Sequence, residues 1–475
     1  MTPIDILILA AGKGTRMQSR LPKVLQRLAG RPLLLHVLDQ AVQLQARSAI
    51  VITGHAAAQV EAAAAGGAQA GGPELKFVRQ EPQLGTGHAA QQAAPQLRDD
   101  ATVLVLSGDV PLTHADTLRA LLGAAAGGRL ALLSVEHPDP TGYGRIVRGA
   151  QGAVQGIVEH GDATEEQRAI TEVYSGIMAA PAQQLRGWLA RLSRDNAQSE
   201  YYLTDVVAQA VADGVPVVAQ RISDALQVAG VNSPRQLADL ERALQLRQAQ
   251  ALMEQGVRLA DPARFDLRDD ARSGVRAALV CGQDVEIDVN CVFVGRVELG
   301  PGVQIGAHCW IANACIAAHA VIQPYTHIDG ENSGATVGAG AHVGPFARLR
   351  PGTRLGRAVH IGNFVEVKNS SLADGAKANH LAYLGDATVG ERVNYGAGSI
   401  TANYDGANKH RTVIEADVHV GSNCVLVAPV TIGAGGTVGA GSNITKNTAA
   451  GALSVARGRQ ISIPGWARPA KRPKP

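Results

Sequence analysis

Aliphatic residues in the second half of the chain recur at every sixth position. One run is Ile287, Phe293, Leu299, Ile305, Ile311. Another is Val337, Val343, Leu349, Leu355, Ile361, Val367, and a third is Ile414, Val420, Leu426, Ile432, Val438, Ile444. Gly often follows directly, as at Gly300, Gly306, Gly338, Gly362 and Gly421. A six-residue step fits neither an amphipathic helix nor a simple alternating strand. It is the mark of a parallel β-helix built from hexapeptides. Each hexapeptide makes one short strand and one turn, and three make a triangular coil. The aliphatics point inward and stack, and each coil adds about 4.8 Å of height. The position four residues after each aliphatic is small, as at Cys291, Cys309, Cys315, Ala341, Ala347, Cys424 and Ser442. These four cysteines are therefore expected to be small buried side chains. The repeat spans about 257 to 455 and is interrupted near 326–336 and 401–413. Loops on a regular scaffold commonly carry function.

The first half has a different pattern. Short apolar runs at Asp5–Leu9, Ser48–Thr53, Leu75–Gln80, Thr102–Ser107 and Leu130–Val135 alternate with helical periodicity. This predicts a mostly parallel α/β sheet, with ligands at the carboxyl ends of its strands. Asn232 and Ser233 suit a helix cap, Pro234 its first turn and Gly256 its end. The expected organisation is an α/β domain at 1–231, a connecting helix at 232–256 and the repeat domain at 257–475.

Composition narrows the function classes. Aromatics are only 3% of the chain against 46% hydrophobic residues, so the cores must be aliphatic. Net charge is +3, and the tail from Arg457 holds six Lys/Arg with no acid, which argues against a general polyanion-binding body and hence against nucleic acid. The five cysteines form no C-x-x-C pair. No signal peptide or membrane-spanning run is evident, so a cytoplasmic protein without membrane insertion is expected.

Candidate chemistry sits where the strands end. The first strand runs into Leu9-Ala10-Ala11-Gly12-Lys13-Gly14-Thr15-Arg16, followed by Pro22-Lys23. Such a turn lets backbone N–H groups approach a phosphate, and Arg16 and Lys23 add charge. Taken alone, a Gly-rich turn is more readily structural. Gln80 precedes Gly85-Thr86-Gly87, and Ser107-Gly108-Asp109 closes another strand. In the repeat, Arg350 and Lys368 lie one coil of eighteen residues apart and should stack on one face, where two cations suit a phosphate. His380 stands in Lys377-Ala378-Asn379-His380-Leu381-Ala382-Tyr383-Leu384-Gly385-Asp386.

The first string resembles the sugar-nucleotide pyrophosphorylase signature, and the His380 segment resembles an acetyltransferase loop. Together they cover nearly the whole chain and resemble the bacterial bifunctional N-acetylglucosamine-1-phosphate uridyltransferase/glucosamine-1-phosphate acetyltransferases. The resemblance implies a Rossmann-like nucleotidyltransferase domain followed by a left-handed parallel β-helix. It implies UTP and sugar-nucleotide contacts at Leu9, Ala10, Ala11, Gly12, Arg16, Lys23, Gln80, Gly85, Thr86, Ser107, Gly108, Asp109, Gly144, Glu159 and Asn232, with Mg²⁺ on Asp109 and Asn232. It implies His380 as the catalytic base, a sugar phosphate on Arg350, Lys368, Tyr383 and Asn394, and acetyl-CoA on Ala397, Asn403, Tyr404, Ser422, Ala440 and Arg457. Tyr174-Ser175-Gly176 departs from the family, whose members usually carry Asn at the first position.

The implied product is UDP-N-acetylglucosamine, a precursor for peptidoglycan and lipopolysaccharide. The implied assembly is a homotrimer with acetyl-transfer sites between subunits. Two other readings stay open on residues alone. The β-helix could merely regulate or oligomerise a nucleotidyltransferase, or the whole could be a nucleotide-sensing assembly module without turnover.

Overall fold

Strands form where the apolar runs stand. The computed structural model describes residues 2–68 and 70–468, and the chain divides into two compact units, Met1–Gln245 and Leu246–Pro475. The first unit contains β1 (Ile4–Leu9), β2 (Ser48–Thr53), β3 (Glu74–Arg79), β4 (Thr102–Ser107) and β5 (Leu130–Glu136). It adds β6 (Arg145–Arg148), β7 (Val154–Val158), β8 (Glu172–Pro181) and β9 (Val217–Ile222). The sheet order is β9-β5-β8-β4-β1-β2-β3, with β6 and β7 off the edge of β8. All pairings along that path are parallel except those of β8, which runs antiparallel to β4 and β5.

Alternation divides each central strand between two cores. Ile6, Ile8 and Val51 join one, while Leu7, Ile50 and Ile52 join the other. Strands covered on both faces need continuous apolar runs, which is what these strands have.

The division between the units falls within one helix, Pro234–Glu254. Ser233 Oγ accepts from the Gln236 N–H at 3.2 Å, and Gln236 Oε1 accepts from the Asn232 N–H at 2.8 Å. The helix ends on Gly256, which has φ +91°, and the Val257 N–H reaches back to the Leu252 carbonyl at 3.1 Å.

The second unit is a left-handed parallel β-helix. One face is a column of parallel strands, and the other two share the wrapping strands Cys291–Leu299 and Trp310–Ile316. All the aliphatics of the three hexad runs are buried. Each such side chain contributes about 1.5–3 kcal/mol. Register steps run Ile287 to Ile305 to Ile322, then Val343 to Ile361 to Ala378, so coils hold seventeen or eighteen residues. The longer steps, Ile322 to Val343 and Tyr395 to Val420, fall over the two expected interruptions. A further extension between Leu259 and Ile287 was not anticipated.

Cys315 departs from expectation. Ile311 to Ile316 is one residue short of a hexad, so alternation turns Cys315 outward, level with Glu298 and Thr336. It is exposed, whereas Cys291, Cys309 and Cys424 are buried. Residues 469–475 of the basic tail lie outside the described residues. Among the described residues no helix is long and apolar enough to cross a membrane.

The coils stack so closely that a Cβ on Gly362 would run into the backbone carbonyl of Asn379 in the next coil. We expect Gly362→Ala to destabilise the β-helix by about 1–3 kcal/mol. Urea unfolding should show an earlier midpoint, and an unchanged midpoint would refute so tight a contact.

Candidate functional site

Two constellations emerge, one on each unit. In the first unit the carboxyl ends of β1 and β4 lie side by side, with Leu9 paired to Ser107 and the Gly108 N–H donating to the Leu9 carbonyl at 2.9 Å. A cleft of about 870 Å³ opens there. Leu9, Ala10, Ala11, Gly12, Lys23, Gln80, Gly85, Thr86, Ser107 and Asp109 all line it. Gly14 has φ +61°, and a Cβ there would meet the Lys23 side chain at 2.6 Å, so glycine is what lets the turn fold over Lys23.

The Lys23 ammonium donates to Asp109 Oδ2 at 2.5 Å and to Asn232 Oδ1 at 3.0 Å. Asp109 and Asn232, far apart in sequence, thus converge on one cation. Both donors are oxygens, the ligands a hard divalent cation takes, so the pair fits Mg²⁺. Arg16 is different: it is exposed on the short helix Thr15–Met17 and is not among the residues lining the cleft.

Gly144 and Glu159 form a neighbouring group. A Cβ on Gly144 would stand 3.6 Å from the Glu159 carboxylate, and the Thr204 hydroxyl donates to Glu159 Oε1 at 3.0 Å. Burial, reinforced by Asp205 and Asp162, raises the Glu159 pKa. The Tyr174 N–H donates to the Gly144 carbonyl at 2.8 Å. The Tyr174 hydroxyl is buried with no hydrogen-bond partner among the described residues, and burial raises its pKa well above the usual tyrosine value.

The second constellation follows the ladder of the β-helix. Asn363 pairs with His380, and Ala378 with Tyr395, so His380 and Ala397 occupy one corner in successive coils. The same register places Ser422 and then Ala440 on that line. Arg457 donates to the Ala440 carbonyl at 2.9 Å. Asn363 Oδ1 lies 2.9 Å from His380 Nδ1. An amide oxygen only accepts, so Nδ1 carries a hydrogen, and in the neutral ring Nε2 keeps its lone pair. His380 borders a cleft of about 400 Å³ walled by Phe346, His360, Phe364 and Asn379.

On the adjoining face Arg350 and Lys368 do stack one coil apart, since Leu349 pairs with Val367. Arg350 is bound to Glu366 at 2.9 Å. The ring of Tyr383 covers Gly385, the residue level with Lys368 in the next coil, and a Cβ at Gly385 would collide with its hydroxyl. Asn394 stands exposed on the His380 column, level with Lys377. Asn403 is buried and its amide is committed to Asp386 Oδ2 at 2.5 Å, while the exposed Tyr404 donates to the Gly406 carbonyl at 2.6 Å. Neither Arg350 nor Lys368 lines the His380 cleft of a single chain.

A model of the MobA-like NTP transferase domain matches residues 6–259. The bifunctional protein GlmU of Paracidovorax citrulli is 78% identical over 475 residues, covering 100% of both chains. That of an Acidovorax species (strain JS42) is 76% identical over the same span, again covering 100% of both chains. That of Herminiimonas arsenicoxydans is 54% identical, covering 98% of this chain and 99% of its own. The chain belongs to the GlmU family. It is a bifunctional enzyme with nucleotidyltransferase and acyltransferase activity. A solved UDP-glucose pyrophosphorylase complexed with UDP-glucose covers 51% of this chain and 98% of its own, with TM-score 0.43 and 16% identity.

Within this GlmU-family chain two further residues join the constellations. Asn363 was not singled out from sequence, although counting one coil back from His380 would have found it. Lys409 sits in the loop after Asn403, where no periodicity marks it. It lowers the Lys368 pKa, aided by partial burial and by Arg350. Two ammoniums and a guanidinium in one neighbourhood would suit an anion, with Arg350 shared with Glu366.

The half-buried Glu159 yields a test. A carboxyl whose pKa rises on folding binds its proton more tightly in the native state, so stability falls as pH climbs above the ordinary value of 4.5. Glu159→Gln is therefore expected to raise the calorimetric unfolding midpoint near neutral pH, with the gain vanishing at about pH 4. A gain that persists in acid would contradict this cause.

Proposed function

We propose that the two constellations carry out consecutive reactions leading to UDP-N-acetylglucosamine. Two observations carry the reading, one for each half. Asp109 and Asn232 meet at one cation beside a glycine-rich turn, and Asn363 holds His380 with its basic nitrogen free.

In acetyl transfer, the amine of glucosamine 1-phosphate attacks the thioester carbonyl of acetyl-CoA. His380 Nε2 takes a proton from that amine, and the Asn363 contact keeps the required tautomer through the step. The Ala397 N–H donates to the tetrahedral oxyanion, a contact typically worth about 3 kcal/mol of barrier. Collapse expels coenzyme A, whose sulfur regains the proton. Arg350 and Lys368, with Lys409, hold the sugar phosphate, and Tyr383 and Asn394 hold the ring. Acetyl-CoA lies along the corner past Ala397, Ser422 and Ala440, contacting Asn403, Tyr404 and Arg457. The three coil spacings from His380 to Ala440 come to about 14 Å, which suits an extended thioester arm.

In uridylyl transfer, a phosphate oxygen of N-acetylglucosamine 1-phosphate attacks the α-phosphorus of UTP. The new P–O bond forms as the bond to pyrophosphate breaks, and no protein nucleophile is needed. Anion must meet anion, so the backbone N–H groups of Ala11 and Gly12, with Lys23 and Arg16, spread and align the charge. Asp109 and Asn232 would hold Mg²⁺, which when bound neutralises phosphate oxygens. Gln80 and Gly85 face the base, and Gly144 and Glu159 the sugar.

The working assembly in this reading is a homotrimer, and the protein acts in the cytoplasm to supply cell-wall precursors. The separation of the Arg350/Lys368 pair from the His380 cleft supports the trimer, since a single sugar phosphate must touch both and a neighbouring copy can bring them together. Sedimentation should give three chains per particle, and a monodisperse monomer active in acetyl transfer would overturn this.

Variants should separate the two halves. His380→Ala is expected to lower acetyl transfer by roughly 10²–10⁴-fold while uridylyl transfer survives. Asp109→Ala should do the reverse, abolishing pyrophosphate release and sparing acetylation. If His380→Ala left both activities intact, His380 would not be the base of acetyl transfer.

A further inference from the structure

Gln80 is a largely buried residue of the cleft wall, and two acceptors orient its amide. Its Nε2 donates to the Gly85 carbonyl at 2.8 Å, which identifies the NH₂ end because a carbonyl oxygen only accepts. The other hydrogen faces Nδ1 of His88 at 3.3 Å. Nδ1 must then hold the lone pair, and the imidazole hydrogen sits on Nε2. That nitrogen lies 3.0 Å from Nε2 of Gln92, one helical turn on, so the Gln92 amide must be turned by half for its oxygen to face it. Amide oxygen and nitrogen exchange places by a half-turn, so Gln92 can accept the Nε2–H.

The relay Gln92–His88–Gln80–Gly85 therefore has one polarity. Its outcome is Gln80 Oε1, which takes no hydrogen bond from any described residue and belongs to a side chain lining the cleft. His88 also stacks on Tyr201, ring centroids 6.0 Å apart, with Arg194 over the same tyrosine ring. Burial first, and then Arg194, lower its pKa, which favours the neutral ring that the relay needs.

We propose that His88 is a positioning residue for base selection, holding Gln80 so that a bare carbonyl oxygen meets the nucleobase. An acceptor there pairs with the N3–H of uracil. Cytosine carries a lone pair at that ring position, so acceptor would face acceptor and the base would be rejected. The inference rests on the reading of this cleft as the uridylyl-transfer site.

The test uses the full-length enzyme, with pyrophosphate release measured against UTP and, separately, CTP. His88→Leu removes the acceptor, and the KM for UTP should rise roughly five- to tenfold, the worth of one hydrogen bond. Its kcat should stay within about twofold, as expected for lost substrate binding rather than lost chemistry. The preference for UTP over CTP should narrow. His88→Asn places an amide oxygen where Nδ1 stood and should recover most of both effects. Should His88→Leu fail to fold, His88→Ala against His88→Asn makes the same comparison.

An unchanged KM and an unchanged UTP/CTP ratio in His88→Leu would overturn the proposal. So would equal impairment of the Leu and Asn variants. Absence of pyrophosphate release from the unaltered enzyme would instead overturn the uridylyl-transfer reading, so the two failures are distinguishable.

Discussion

The parallel ladder between successive coils is the constraint from which the second unit follows. Leu349 hydrogen-bonds level with Val367, and Val367 with Leu384, so each inward aliphatic meets its own equivalent above and below. Fixing one residue's backbone costs about 1–2 kcal/mol. A short strand of two or three residues cannot offset that alone, and buries enough only as one level of a stack. The same ladder dictates function. Whatever occupies one position of a coil stands directly over its counterpart in the next, which is why His380, Ala397, Ser422 and Ala440 align without any long-range packing to arrange them.

The corners show what the ladder demands of side chains. His308, Tyr325, Phe346 and Phe364 all turn corners with φ between 55° and 60°. That conformation costs a non-glycine residue roughly 1–2 kcal/mol. Their rings stack in sequence, with centroids 4.8, 5.0 and 5.4 Å apart. Aromatic pairs contribute about 0.5–1.5 kcal/mol each beyond burial, which offsets much of that cost. The far end of this ridge, Phe346 and Phe364, forms the apolar wall beside His380. A device that stabilises the corner therefore also shields the imidazole.

Much of this was legible because apolar spacing is a backbone property. Ser48–Thr53 and Thr102–Ser107 were read to the residue, and both loop insertions were located from breaks in the six-residue step. The strand Glu172–Pro181 was not singled out from sequence, and neither its antiparallel direction nor the slip in its register between Tyr174 and Met178 shows in the apolar spacing. Cys315 was misplaced because a coil of seventeen residues hides a shift of one inside an otherwise regular pattern. Side-chain commitments were beyond reach for a further reason. That Arg350 is paired with Glu366, and that the Asn403 amide is spent on Asp386, depends on neighbours a coil away.

The charges at the two sites carry one more argument. Like charges repel, so placing the Lys368 and Lys409 ammoniums together lowers stability unless something opposes it. Asp386 supplies part of the opposition. Its carboxylate is gripped by Asn369 and Asn403, each at 2.5 Å, and it draws the Lys368 pKa back upward against the other causes. The amides are neutral and leave the negative charge of Asp386 undiminished. Had arginines held it instead, its charge would have been cancelled locally and the lysines left to repel unopposed. The first unit solves the converse problem. There one ammonium, Lys23, is shared between the carboxylate of Asp109 and the neutral oxygen of Asn232, so a single positive charge orders both oxygens. In each case a neutral amide holds geometry without adding a formal charge, although Glu366 on Arg350 and Asp109 on Lys23 must share those cations with an incoming phosphate.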